Sequence, residues 1–243
     1  MITIAATADI HSPRGLVLFN KALDEARINP DIFIIAGDIV DKNKIEYAAP
    51  VFNRIKKKYS STPIIAVFGN EEYRGYEDKY REKYPDITWL DDEYIVPEIR
   101  GEKIGIIGTR GALEKPTTWQ ARNMPWIIDY YRSLPGKIRE LLEKIEKEKP
   151  TIKILVSHYG VATETLVGEP RRIWPYLGDP RISRLFAGRF HVMIHGHAHN
   201  AKKTKTRINT TTIYNVSLPA NKSIVEIIIA PEESEGLLRW LKQ

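Results

Sequence analysis

Along the first third of the chain, apolar β-branched runs alternate with amphipathic stretches in a fixed order: apolar run, polar tip, helix. Residues 2–8 form the first run, carry no helix start or stop signal, and predict a buried strand ending in Asp9-Ile10-His11. Residues 15–28 place Leu16, Phe19, Leu23 and Ala26 at helical spacing and stop before Pro30. The pattern then recurs. A strand at 31–36 ends in Gly37-Asp38-Ile39-Val40-Asp41, a helix at 44–59 follows, and a strand at 63–68 ends in Gly69-Asn70-Glu71-Glu72. Such an order predicts β-α-β units with right-handed crossovers, in which ligands sit beyond the carboxyl ends of the strands.

After a helix-like stretch at 73–84 the runs shorten. Strands at 87–90, 93–99 and 103–108, separated by Asp91-Asp92 and Arg100-Gly101, read as antiparallel. Residues 109–132 mix Gly111, Pro116 and Pro125 with Trp119, Trp126 and Tyr130, and predict no single element. Ser133 is placed to cap a solvent-facing helix over 135–149, whose Glu and Lys residues suit i, i+4 pairing. A strand at 152–156 ends in Ser157-His158, and residues 159–190 read as a long loop with a short helix at 181–187. A strand at 191–194 then delivers His195-Gly196-His197-Ala198-His199. Strand-like runs at 211–216 and 223–229 precede a final helix from Pro231, with Leu237, Leu238, Trp240 and Leu241 as its packing residues. With no repeat, linker or low-complexity stretch, residues 1–243 are expected to form one domain.

Three of the six histidines fall within five residues at 195–199, a density that packing does not explain. Imidazoles two residues apart, across a residue small enough for a sharp turn, can aim their nitrogens at neighbouring metal ions. Cysteine is absent, so disulfides, thiolate nucleophiles and zinc-thiolate sites are excluded and any metal must be held by His, Asp, Asn or Glu. Such residues recur at five strand ends: Asp9, His11, Asp38, Asn70, His158, His197 and His199. An Asp or Asn after a strand is usually a turn or helix cap; the same ligand chemistry at five ends is not a coincidence of turns. The net charge of +6 is spread along the chain and favours anionic partners only weakly. Neither a basic leader nor a membrane-length apolar stretch is present, so a soluble, cytoplasmic protein without a membrane partner is expected. Charged residues rest on Lys, Arg and Glu, with Gln only at 120 and 243, a balance seen in proteins of hot environments.

Taken in order, Asp-x-His at 9–11, Gly-Asp-x-x-Asp at 37–41, Gly-Asn-x-Glu at 69–72, a lone His158 and Gly-His-x-His at 196–199 resemble the calcineurin-like metallophosphoesterases. The resemblance implies an α/β fold, a four-layer αββα sandwich of two mixed sheets with a dinuclear metal site at the strand carboxyl ends. It further implies one ion on Asp9, His11, Asp38 and His199, and a second on Asp38, Asn70, His158 and His197, with Asp38 shared. Manganese is the first expectation, with iron, zinc, nickel or cobalt as alternatives. Two divalent ions about 3.5 to 4 Å apart can acidify a shared water and clamp the phosphoryl oxygens, so that a hydroxide attacks in line. The neutral oxygen of Asn70 keeps such a site positive enough for an anionic substrate. His191 and His195 have no place in the family pattern and read as structural, although strand alternation would point His195 to the side of His197.

One position departs from the family. Many relatives carry His after the Gly-Asn pair, where it assists the leaving group; here it is Glu71. A carboxylate donates a proton only if its pKa is raised, and two nearby cations lower it, whereas a close Asp41 raises it. Asp41 resembles a group that orients position 71 in relatives, so Asp38, Asn70, Glu71 and Asp41 are the candidate catalytic residues. The expected activity is hydrolysis of phosphodiesters, nucleotide-like or small, with phosphomonoester hydrolysis or a catalytically weak metal-binding scaffold as alternatives. Nuclease relatives usually add a nucleic-acid-gripping domain, and only 44 residues follow His199, so no stable nucleic-acid complex is expected. Lys202, Lys203, Lys205 and Arg207 read as a solvated strand edge, and Arg171, Arg172 and Trp174 either border the substrate cleft or form a surface loop.

Overall fold

A computed structural model describes residues 1–230; the helix expected from Pro231 lies outside them. In chain order the elements are β1 (Ile2–Thr7), α1 (Leu16–Glu25), β2 (Ile32–Ala36), α2 (Ala48–Lys58), β3 (Ile64–Val67), α3 (Glu77–Lys83) and β4 (Thr88–Leu90). They continue with β5 (Glu93–Ile95), β6 (Glu98–Ile99), β7 (Glu102–Thr109), α4 (Thr118–Asn123), α5 (Ile127–Lys147) and β8 (Ile152–Ser157). The last are α6 (Arg181–Phe186), β9 (Val192–His195), β10 (Lys205–Ile208), β11 (Thr211–Asn215), α7 (Leu218–Asn221) and β12 (Val225–Ile229).

Among the described residues the strands form a five-stranded sheet, β12-β1-β2-β3-β4, and a seven-stranded sheet, β10-β11-β9-β8-β7-β5 with β6 also on β7. Strand alternation builds the layers. Even-numbered Ile2, Ile4, Ala6, Ile32 and Ile34 face Ile104, Ile106, Ile152, Ile154 and Ile194 of the other sheet. Odd-numbered Ala5, Phe33 and Ile35 turn the opposite way onto Phe19 and Leu23 of α1 and Val51, Phe52 and Ile55 of α2. On the far side Ile107, Leu155 and Met193 meet Leu134, Ile138, Leu142 and Ile145 of α5. The result is the four-layer sandwich with two mixed sheets. Each buried Ile or Leu contributes roughly 1.5–3 kcal/mol relative to exposure, so the dry middle layer is a rigid floor for the strand ends.

Some boundaries differ from the sequence pattern. The run at 93–99 is two strands, because Pro97 supplies no N–H to the ladder and the chain re-pairs with β7 from Glu98. The helix expected over 73–84 starts only at Glu77, since Gly75 takes φ +87°, outside helical geometry. Helix α5 runs straight through Pro135 instead of beginning there, and Ser133 donates to Tyr130 O within it rather than capping it. Proline at 135 removes the hydrogen bond to Tyr131 O, and Arg181 Nη2 donates to that carbonyl instead at 3.2 Å. Strand β10, with Lys205 and Arg207 exposed, is a solvated edge. No helix among the described residues is long and apolar enough to cross a membrane.

Candidate metal centre

Strands β1, β2 and β3 run parallel in one sheet, and β8 and β9 run parallel in the other. All five carboxyl ends converge on one rim. There the backbone leaves the strands abruptly: Asp9, His11, Asp38 and His197 all have left-handed φ, between 48° and 67°. Asp and His tolerate this region better than most side chains, and four such residues in one place mark a strained functional turn. Gly37 lies beside them at φ +83°, and a Cβ there would stand 2.7 Å from His158 Nδ1.

Two overlapping clusters emerge. Asp9, Asp38, His158 and His197 bring ligand atoms within 4.8 Å of one another, as do Asp9, His11 and His199. By distance alone Asp9, not Asp38, belongs to both. One Asp9 oxygen, however, accepts the His197 N–H at 2.8 Å, leaving Oδ1 to face His199 Nε2 at 3.2 Å. Asp38 presents one oxygen to each side: Oδ2 lies 3.7 Å from His11 Nε2 and Oδ1 3.6 Å from His158 Nε2. The Glu71 N–H donates to the same Oδ1 and fixes the carboxylate plane.

Tautomers are set by carbonyls. His158 Nδ1 donates to Ala36 O at 2.9 Å, and His197 Nε2 donates to Tyr176 O at 3.3 Å, so the opposite nitrogen of each ring keeps its lone pair. His158 Nε2 then faces the Asn70 Oδ1 acceptor at 3.1 Å, two lone pairs in opposition that a cation between them would reconcile. Both nitrogens of His11 and His197 Nδ1 are buried without a hydrogen-bond partner, and Asp9 Oδ1 and His199 Nε2, equally buried, have only their ion pair with each other. Orphaned nitrogens and oxygens aimed at shared points, with no thiolate among them, are what a pair of divalent ions requires.

Burial drives His158 down to about 3 and His197 to about 4, so both rings are neutral and ligand-competent at neutral pH. Burial also depresses His11, whereas His199 is held above its ordinary value by Asp9 despite burial. Asp9 lies below the carboxylate range because His199, His158 and His197 outweigh burial, the largest single influence; Asp38 is pushed well up by burial, then by Glu72 and Asp9. A bound cation reverses that last effect.

Buried His195 is likewise pushed down to about 4. In metal-free protein these three buried histidines make unfolding take up protons below about pH 6.5, the unfolded histidine pKa. The contribution of these three rings is therefore full above that pH and declines as pH falls towards 4, while His199 and Asp38, both raised, act in the opposite sense. Thermal melts in chelator should show wild type losing more Tm across that window than a His195→Gln variant, which lacks one of these rings; equal pH dependence in the two would contradict a buried neutral His195.

Two further residues organise the rim. Glu72, wholly buried, accepts four backbone N–H groups: Asp38 at 2.9 Å and Gly69 at 2.7 Å on Oε2, Ile39 at 2.8 Å and Val40 at 3.0 Å on Oε1. It ties the β2 turn to the β3 turn. Buried Arg110 donates to the carbonyls of Gly69 and Glu72 and to Glu77 Oε1, holding the same turn from behind. Glu71 and Asp41 are not paired as expected: Glu71 Oε2 accepts the Lys42 N–H at 2.6 Å, and Asp41 binds Arg14 at 3.0 Å. His195 does not share the side of His197, because the alternation ends with β9 and the left-handed turn at His197 swings its ring to His158 and Tyr159. His195 instead contacts Thr165 Oγ1 at 2.7 Å and Gly196 O at 2.8 Å, and His191 Nδ1 accepts from Lys153 N; both roles are structural.

Residues 2–201 match the family described as calcineurin-like phosphoesterase. The chain belongs to the calcineurin-like phosphoesterases. A calcineurin-like phosphoesterase with these Asp and His clusters is a metal-dependent phosphoester hydrolase. Among curated proteins none matches the sequence. The phosphopantetheinyl hydrolase PptH of Mycobacterium tuberculosis shares the fold with a TM-score of 0.67 at 13% identity, over 96% of this chain and 98% of that one. Haemophilus influenzae NAD nucleotidase aligns with a TM-score of 0.58 at 12% identity, over 94% of this chain and 49% of that one. The sulfate thiohydrolase SoxB of Thermus thermophilus gives 0.54 at 10%, over 92% and 53%. This calcineurin-like phosphoesterase thus spans about half the length of the last two.

Proposed function

We propose that the protein is a dinuclear phosphodiesterase acting on nucleotide-like or small phosphodiesters. Asp9, His11, Asp38 and His199 would hold one divalent ion, and Asp38, Asn70, His158 and His197 the other, manganese being the first candidate for a mixed imidazole and carboxylate set. The observation that carries this reading is Asp38, whose two oxygens face imidazoles of opposite clusters. Bound there, the ions supply an acidified water and positive charge over the phosphoryl oxygens. The chain supplies the geometry. Ala36 and Tyr176 carbonyls lock two imidazole tautomers, and the Glu71 N–H sets the Asp38 plane. A nucleotide-like substrate also accords with the nucleotidase among the chains of this fold. The test is metal analysis of purified protein with hydrolysis of a nitrophenyl phosphodiester. About two ions per chain and turnover abolished by chelation are expected; protein that binds no metal, or binds it without turnover, refutes the proposal.

The segment 159–190 is the best-supported edge of the substrate cleft. Its Tyr176 carbonyl holds His197, and its buried Glu169 accepts the Asn200 N–H at 2.6 Å, beside His199. Exposed Arg171 lies 5.8 Å from the Trp174 ring on the same turn, with exposed Arg172 beside it. Guanidinium forks suit phosphate, and an aromatic plane suits a base. Replacing Arg171 and Arg172 together with Ala should raise KM about tenfold for a nucleotide diester, with a smaller change for a small aryl ester. Equal effects on both substrates, or none, would remove the segment from the cleft.

A further inference from the structure

The family resemblance assigns leaving-group assistance to a histidine at position 71, held by the residue at position 41. Here Glu71 has both carboxylate oxygens turned to donors, Oε2 to the Lys42 N–H and Oε1 to Asn70 Nδ2 at 3.5 Å. What Asp41 holds is a guanidinium: Arg14 Nη2 lies 3.0 Å from Asp41 Oδ1. The backbone explains how Arg14 arrives there. The turns after β1 and β2 run side by side, with Asp9 N–H donating to Gly37 O, His11 N–H to Asp38 O, Ser12 N–H to Ile39 O and Asp41 N–H to Ser12 O. The Arg14–Asp41 pair lies just beyond His11 and Asp38 along that ladder, at the outer rim of the metal centre. Asp41 is mostly covered, whereas the Arg14 side chain is 69% exposed, so the donors that Asp41 does not engage are open to solvent.

We propose that Arg14 replaces the missing histidine as the leaving-group residue. Anchored by Asp41, its guanidinium hydrogen-bonds the departing oxygen. As the water oxygen bonds to phosphorus and releases its proton to solvent, the P–O bond to the leaving group breaks and its electron pair stays on that oxygen. Arginine remains protonated at any working pH, so it stabilises this oxyanion as a charge and does not protonate it; solvent does so afterwards. This assignment rests on the phosphoesterase reading above.

The test compares Arg14→Gln, Arg14→Lys and wild type, all manganese-loaded with metal content measured, on methyl nitrophenyl and methyl phenyl phosphate. Arg14→Gln is expected to lose about threefold on the nitrophenyl ester and about a hundredfold on the phenyl ester, since help at the leaving oxygen matters most where that oxygen carries charge poorly. Arg14→Lys should fall between, and the alkaline side of the pH profile should keep its shape because no proton donor has been removed. Calorimetric binding of inorganic phosphate should weaken about tenfold in Arg14→Gln. Equal losses on the two esters, or no loss on either, overturn the role. If metal-loaded wild type hydrolyses neither ester, the phosphoesterase reading itself fails and the role of Arg14 falls with it.

Discussion

Asp38→Asn is expected to retain the fold, bind at most one ion tightly, and lose on the order of a thousandfold in hydrolysis, equivalent to about 4 kcal/mol of transition-state stabilisation. The substitution is nearly isosteric, and Asn tolerates the left-handed φ of 50° at this position. What it removes is one anionic oxygen from a carboxylate that faces His11 on one side and His158 on the other. With the negative charge gone, the side chain at position 38 would offer one ion a neutral amide oxygen and the other an amide nitrogen that cannot coordinate, and both ions lose affinity. Circular dichroism checks the fold, metal analysis the occupancy and nitrophenyl ester hydrolysis the rate. Two tightly bound ions with normal turnover would show that Asp38 is not shared.

Glu72→Gln should be the most destabilising single change near the site although Glu72 is no proposed ligand. Its two oxygens each receive two backbone N–H groups. Whichever way an amide sits, two buried N–H groups lose their acceptor and meet another donor. Unsatisfied buried donors cost roughly 1–3 kcal/mol each, so a loss of about 3–5 kcal/mol in urea unfolding is expected. Because one of those N–H groups belongs to Asp38, metal affinity should fall about tenfold or more alongside. A change below about 1 kcal/mol with unaltered metal binding would mean that the turns hold themselves.

The proposed ligands were legible because each ends a strand whose pattern is unmistakable, and because strands in β-α-β units converge at their carboxyl ends. The two-sheet sandwich followed from the same alternation together with the family resemblance. Less was visible where a side chain answers to backbone. Glu72 stands in a recognised motif, yet its partners are N–H groups up to 34 residues away, which no spacing reveals. Arg110 carried no signal beyond following a strand. The start of α5 was misplaced because Pro135 looks like a first-turn proline, and only tertiary structure shows Arg181 supplying the donor that its ring cannot. The partner of Asp41 was missed for a similar reason, since it depends on two turns running alongside each other.

The left-handed backbone at Asp9, His11, Asp38 and His197 changes how any mutational scan of this protein must be interpreted. Alanine at these positions removes a side chain and also asks a residue with an ordinary Cβ to occupy a conformation that costs roughly 1–2 kcal/mol. A drop in expression or melting temperature would then be charged to lost coordination when part of it is torsional. Glycine relaxes the torsion and asparagine largely tolerates it, so the difference between Ala and Gly at one position measures strain, and Asn against Asp measures charge. His158, just after β8 and outside this strained set, serves as the internal control: there alanine removes the imidazole, its packing and its bond to Ala36 O, with no torsional cost added.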